Sequence, residues 1–183
     1  MKRSAFLKST VLLSTCTLGT TLLAKGVRRK TTALPNPTDL EPKIIRNEEG
    51  KKVNVIGDEM TFKLTGKDTN NQFTLIEEHN EPGVMIPLHV HTNEDEIFKV
   101  LEGELELTVG GNTTVLKAGD LAFGPRNVPH SWKVIGTTKA RVILSVFPSG
   151  IEHMFEDLGQ LPPGPPDLEK VGAICGKYGV SFV

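Results

Sequence analysis

The chain has very little cysteine: two residues in 183, Cys16 and Cys175. Cys16 falls in an N-terminal leader, so removal of that leader leaves one cysteine and excludes an internal disulfide. Charge of one sign is not in excess. There are 21 basic and 22 acidic side chains, a net charge of -1, and no basic stripe, which leaves nucleic-acid binding without support. Aromatic residues make up 5% and apolar residues 38%, ordinary values for a globular domain. Long apolar runs are missing. The best candidate, residues 11–24, is threonine-rich and too short to span a bilayer. Histidine is scarce as well, with five residues, and this makes the grouping of three of them in two short stretches informative.

The first stretch runs from Gly83 to Gly103 and contains His89-Val-His91 followed by Glu96. In a strand, residues i and i+2 face the same side, so both imidazoles can converge on one point inside a sheet. Thr92 to Asp95 is polar and reads as a turn. Glu96-Ile-Phe98-Lys-Val100 then alternates as a second strand. If that strand returns beside the first, Glu96 comes back to the two histidines. Two ring nitrogens and a carboxylate oxygen form a donor set for a first-row transition metal. A fourth donor, His130, closes the stretch Gly119-Asp-Leu-Ala-Phe-Gly-Pro125-Arg-Asn127-Val-Pro129-His130. His79 and His153 lie outside the set.

These stretches resemble the two motifs of the cupin superfamily. The first motif there reads G-x5-H-x-H-x4-E-x6-G, and Gly83, His89, His91, Glu96 and Gly103 match every fixed position. The second reads G-x5-P-x-G-x2-H-x3-N. Gly119, Pro125 and His130 match it, Asn127 replaces a glycine and Val134 replaces the final asparagine. Asn tolerates positive φ better than most residues, so the first change is mild. The second removes a polar group but no expected ligand. A further resemblance, to small single-domain cupins of the quercetin dioxygenase-like group, runs over residues 53–183. It is carried by Leu64-Thr65-Gly66-Lys67-Asp68-Thr69, Glu94-Asp95-Glu96, Phe147-Pro148-Ser149-Gly150 and Lys177-Tyr178-Gly179-Val180. The fold implied is all-β, a double-stranded β-helix (the cupin jelly-roll barrel), with a short C-terminal helical tail.

The strand pattern agrees independently. Glu104-Leu105-Glu-Leu107-Thr-Val109 alternates strictly, Gly110-Gly111-Asn112 is a hairpin turn, and short apolar strands follow with Gly and Pro between them. Upstream, Ile44-Ile45 reads as an edge strand and Thr65–Asn71 as dense turn signals. Downstream, 151–158 reads as a helical turn and 161–166 as a proline-rich connector. Asp167 is placed to cap a helix with Leu168, Val171, Ile174 and Cys175 on one face.

The domain plan is therefore an export signal at 1–24, a linker or arm at 25–42, a cupin barrel at 43–158, and a connector with a C-terminal helix at 159–183. That last segment is expected to pack on the barrel, with a homodimer interface or a lid as alternatives. The export reading rests on Lys2, Arg3 and Lys8 ahead of the apolar run. Lys2-Arg3-Ser-Ala-Phe6-Leu7-Lys8 looks like a loosened bacterial twin-arginine signal, which implies a periplasmic protein. Leu13-Ser-Thr-Cys16 is a weaker likeness to a lipoprotein box. The leader carries three of the 21 basic residues and none of the 22 acids, so the remainder is mildly acidic. That argues against anionic membranes as partners.

Three histidines and a glutamate leave open positions on an octahedral ion, as a catalytic site needs. Fe, Mn, Ni, Co, Cu and Zn all suit such donors. Met85, Phe98, Val100, Phe123, Trp132 and Val134 are candidate pocket residues by alternation with the ligands. A dry, aromatic-lined pocket suits a planar small molecule. The resemblance places Glu94 and Asp95 in the turn, facing solvent, and implies that Glu96 is both ligand and catalytic base. It would take a proton from a substrate hydroxyl before dioxygen reacts, which gives a metal-dependent dioxygenase for a small phenolic or enediol-like substrate. A non-oxidative metallo-cupin (isomerase or lyase) and a non-catalytic ligand-binding cupin are the alternatives.

Overall fold

The computed structural model describes residues 40–183; the export signal and most of the expected linker lie outside them. In chain order the elements are β1 (Lys51–Val55), β2 (Asp58–Leu64), α1 (Gly66–Thr69), β3 (Thr74–Asn80), β4 (Met85–His91), β5 (Asp95–Glu102) and β6 (Glu104–Val109). There follow β7 (Asn112–Lys117), β8 (Leu121–Gly124), β9 (His130–Ile135), β10 (Ala140–Phe147), α2 (Glu152–Leu158), α3 (Leu168–Lys177) and β11 (Val180–Phe182). The strands form two antiparallel sheets, ordered β1-β2-β3-β10-β5-β8 and β11-β4-β9-β6-β7. This is the expected double-stranded β-helix.

Alternation decides which side chains enter the barrel. On β10, Ala140, Val142, Leu144 and Val146 are buried. They face Val100 and Phe98 of β5 through the paired register. Leu105 and Leu107 of β6 and Val134 of β9 complete this packed part. Each such side chain contributes roughly 1.5–3 kcal/mol by leaving water. The β6–β7 hairpin closes at Val109 and Asn112 over Gly110 and Gly111. Both glycines have positive φ, 57° and 81°, as a two-residue turn of this hand requires.

Three local readings change. Ile44-Ile45 is not a strand, and Ile44 is exposed. The chain there is held instead by Lys63, whose Nζ donates to the carbonyls of Asn47 and Glu49. The turn-rich stretch after Leu64 winds into α1. Its start is capped by Asp68, which accepts from the Thr65 backbone N–H at 2.9 Å. The C-terminal segment does more than pack against the barrel, because β11 pairs with β4 and extends the second sheet. Asp167 caps α3 as expected, accepting from the Lys170 backbone N–H.

Gly103 explains its place in the motif. It turns the chain from β5 to β6 with φ 76°, and a Cβ there would sit 2.5 Å from the Lys139 carbonyl oxygen and 2.8 Å from Ala140 Cα. Both neighbours are backbone and cannot swing aside. Gly103→Ala should therefore cost about 2 kcal/mol or more, from αL strain plus the clash. Gly172→Ala, in the interior of α3 with open space around its Cβ position, should instead stabilise by about 0.5–1 kcal/mol. Chemical denaturation of both variants checks the contrast; equal midpoints would contradict it.

Candidate metal centre

His89 and His91 are the last two inward positions of β4, and both are buried. β4 lies between β11 and β9. Its pairing with β9 sets His89 opposite His130, past an irregularity that follows Ile86. His130 opens β9 after a tight loop in which Asn127 holds φ 63°. From that left-handed conformation the Asn127 backbone N–H donates to the His91 carbonyl at 2.7 Å. The asparagine thus performs the turn that glycine serves in the motif.

Glu96 arrives by a different route from the one expected. β5 does not return beside β4. The short 92–94 connection carries the chain into the other sheet, where β5 pairs with β10 and β8. Glu96 therefore faces the histidines across the barrel interior. Alternation shows which face a residue takes but not which sheet its strand joins.

The donor atoms of His89, His91, Glu96 and His130 all lie within 4.8 Å of one another. Ligand bonds of about 2.1 Å hold two donors on one ion no more than about 4.2 Å apart, so a contraction of roughly half an ångström would close the set. Each Nδ1 is already engaged: His89 with the Pro87 carbonyl at 2.8 Å, His130 with the Val128 carbonyl at 3.2 Å, and His91 with Glu94 Oε2 at 3.4 Å. These acceptors fix the Nδ1–H tautomer and leave each Nε2 lone pair for the centre. His130 Nε2 is 2.8 Å from Glu96 Oε2, yet lacks hydrogen-bond alignment and is a buried nitrogen without a partner. Neutral imidazoles and one carboxylate aimed at a common point suit a divalent transition metal.

Electrostatics agree with that state at His89 and Glu96, whereas at His130 burial works to lower the pKa but the Glu96 carboxylate outweighs it and lifts the ring above its usual range. Burial, then the neighbouring His130 and His91, pulls the His89 pKa down to about 4. Burial works to raise Glu96, but His130 and the other imidazoles outweigh it and hold the carboxyl below its usual range. Glu96 is therefore ionised at neutral pH.

The centre lies on the wall of a cavity of about 570 Å³, a common size for a small-molecule site. Met85, Phe98 and Trp132 line it; Val100, Phe123 and Val134 do not. Val100 and Val134 sit deeper on their strands, in the packed core. Phe123 is 54% exposed, because on β8 it is Ala122 that stands opposite the inward Phe98. Three features of the site escape the sequence reading. Glu94 is buried against His91 rather than facing solvent. Phe182 of β11 stands opposite His89, their rings 6.2 Å apart. Asp58 and Glu78 also line the cavity. Glu78 carried a usable signal, since it shares its parity on β3 with the buried Ile76.

Known proteins resemble this chain in sequence and in fold. A sequence-family model described as "Cupin domain" matches residues 77–147. A quercetin 2,3-dioxygenase of Bacillus subtilis is 28% identical over 123 residues, which cover 67% of this chain and 36% of that protein. An oxalate-binding protein of Thermotoga maritima is 31% identical over 102 residues, 55% of this chain and 82% of that protein. The solved structure of a predicted oxalate decarboxylase from Thermotoga maritima superposes with a TM-score of 0.53 at 26% identity, covering 57% of this chain and 98% of the other. The chain spans about a third of the length of the curated dioxygenases it matches.

Replacing His89, His91 or His130 by Ala should lower metal content measured by elemental analysis, whereas changing His79 or His153 should not. Glu94→Gln should weaken metal affinity by roughly 10–100-fold, as for other groups that orient a ligating histidine. Equal metal content in wild type and His89→Ala would contradict the assignment.

Proposed function

The chain belongs to the cupin superfamily, and we propose that it is a metal-dependent dioxygenase acting on a small phenolic or enediol-like substrate. The observation that carries this reading is the pairing of a four-donor centre with an apolar cavity. Phe98, Trp132, Phe155 and Phe182 give the walls an aromatic character, and no Lys or Arg among the described residues lines them. A flat, neutral ring system gains from such walls.

The similarity to an oxalate-binding protein raises a second candidate, and the same lining argues against it. Oxalate is a small dianion. Beyond the metal centre it needs further cationic or polar donors, whereas no described Lys or Arg lines this cavity and most of its wall is apolar.

A bound divalent metal would supply Lewis acidity and a redox centre, held by Nε2 of His89, His91 and His130 and by the Glu96 carboxylate. The remaining work falls to the chain. Glu94 and the Pro87 and Val128 carbonyls fix the orientation of the three rings. Glu96 is ionised and acts as the base that accepts a proton from the substrate hydroxyl. Phe98, whose ring lies 6.0 Å from that of His130, and Trp132 position the substrate ring and exclude water. Lys2, Arg3 and Lys8, ahead of a modest apolar run, support work outside the cytoplasm after export. No helix among the described residues is long and apolar enough to cross a membrane.

Oxygen uptake with Glu96→Gln tests the base. Gln keeps the size and one carbonyl oxygen but loses basicity. With metal content matched to wild type, the variant should be slower by roughly 10²–10⁴-fold on substrates that enter protonated. Substrates already ionised at the assay pH should suffer much less. Near-wild-type rates on both would remove the base role.

A further inference from the structure

Asp58 and Glu78 are two acids on the wall of the metal-centre cavity. Asp58 opens β2, immediately after the turn from β1, and is 0% exposed. Glu78 points inward from β3, beyond Ile76, and is 2% exposed. Their partners do not account for them. Asp58 Oδ1 accepts from Asn80 Nδ2 at 2.7 Å. Asp58 Oδ2 and Glu78 Oε1 have no hydrogen-bond partner among the described residues, and neither acid has a Lys, Arg or His partner among them. Apolar side chains would fill these places at lower cost. Two unpaired carboxyls that border an open cavity are suited to receive a ligand.

The register separates this pair from the metal centre. On β10, Glu78 stands opposite Val142 and Glu96 opposite Val146. Four residues of strand offset the two backbone positions by roughly 13 Å along the sheet, although the Glu78 carboxyl still feels the charge of Glu96. Met60, Phe98 and Leu144 also line the cavity, and on β10 Leu144 stands between the two levels. A molecule that reaches both polar sites therefore has an apolar middle and polar groups at its ends.

We propose that Asp58 and Glu78 form a second polar subsite, which hydrogen-bonds hydroxyl groups at the end of the substrate remote from the metal centre and so selects a neutral, polyhydroxylated aromatic ligand. The subsite deepens the phenolic reading above and rests on it. Burial lifts the Asp58 carboxyl to about 7, and burial with the neighbouring Asp58 lifts Glu78 well above the usual carboxylate range. At neutral pH the pair accordingly retains a proton. It can donate to one hydroxyl oxygen and accept from another.

The chain's single tryptophan, Trp132, lies on the cavity wall, and quenching of its fluorescence reports occupancy without turnover. Metal-loaded wild type, Glu78→Met, Glu78→Gln and Asp58→Asn are titrated without oxygen with two probes. One is a flavonol carrying a catechol ring at its far end; the other is the same flavonol without those two hydroxyls. Wild type should bind the catechol probe about 10-fold or more tightly than the other. Glu78→Met should lose that preference while binding the plain flavonol within about 2-fold of wild type. Glu78→Gln, which keeps hydrogen-bonding atoms, should recover part of it. Asp58→Asn gives a second, nearly isosteric reading of the pair. Metal content should match wild type in every variant.

Equal affinity of wild type for the two probes overturns the subsite. So does a preference that survives in Glu78→Met, or an equal loss for both probes. If neither flavonol quenches wild type, the subsite and the phenolic reading fail together. If both bind with the stated preference and no oxygen is consumed in air, the dioxygenase reading alone fails.

Discussion

The structure depends on bringing three imidazoles and one carboxylate to a single buried point from opposite sides of a barrel. His89, His91 and His130 come from one sheet and Glu96 from the other. Burying four polar groups costs free energy unless each has a partner. The Nδ1 atoms have theirs in two carbonyls and Glu94. The inward atoms have only one another, and His130 Nε2 lacks even a well-aligned hydrogen bond. A cation at the centre would satisfy all four donors at once. Their arrangement therefore makes physical sense as a metal site, and poor sense as a stabilising feature of the core.

The rest of the fold serves that point. The packed part around Val100, Val142 and Leu105 supplies the apolar burial that can offset a polar centre. The opposite part is left open as the cavity. α2, α3 and β11 bound it through Phe155, Val171 and Phe182, so the C-terminal segment shapes the site as well as covering it. Pairing of β11 with β4 also occupies a sheet edge beside two of the ligands, where an open edge would admit water.

Much of this is legible in the sequence because it depends on spacing and parity. His89 and His91 stand two apart, and strict alternation in Leu105, Leu107 and Val109 marks strand faces. Gly103 and Asn127 mark places where the chain needs positive φ. What escapes depends on tertiary pairing. The 92–94 connection looks like an ordinary turn whether β5 returns or crosses. Glu94 is polar in a polar stretch, so nothing local distinguishes its burial. β11 is three residues long and gains its identity only from β4. Phe123 invites placement in a pocket by its aromatic character, but Ala122 holds the inward position. Asp58 and Glu78 are acidic residues at positions that apolar side chains ordinarily fill, and the cavity they border exists only in the folded structure.

Anomalous diffraction from crystals of the metal-loaded protein, recorded at the absorption edge of the added metal, tests the central claim most directly. One peak should stand at about 2.0–2.3 Å from Nε2 of His89, His91 and His130 and from a Glu96 oxygen. A peak elsewhere in the chain, or no peak with Glu96 hydrogen-bonded to His130 in its place, would contradict it.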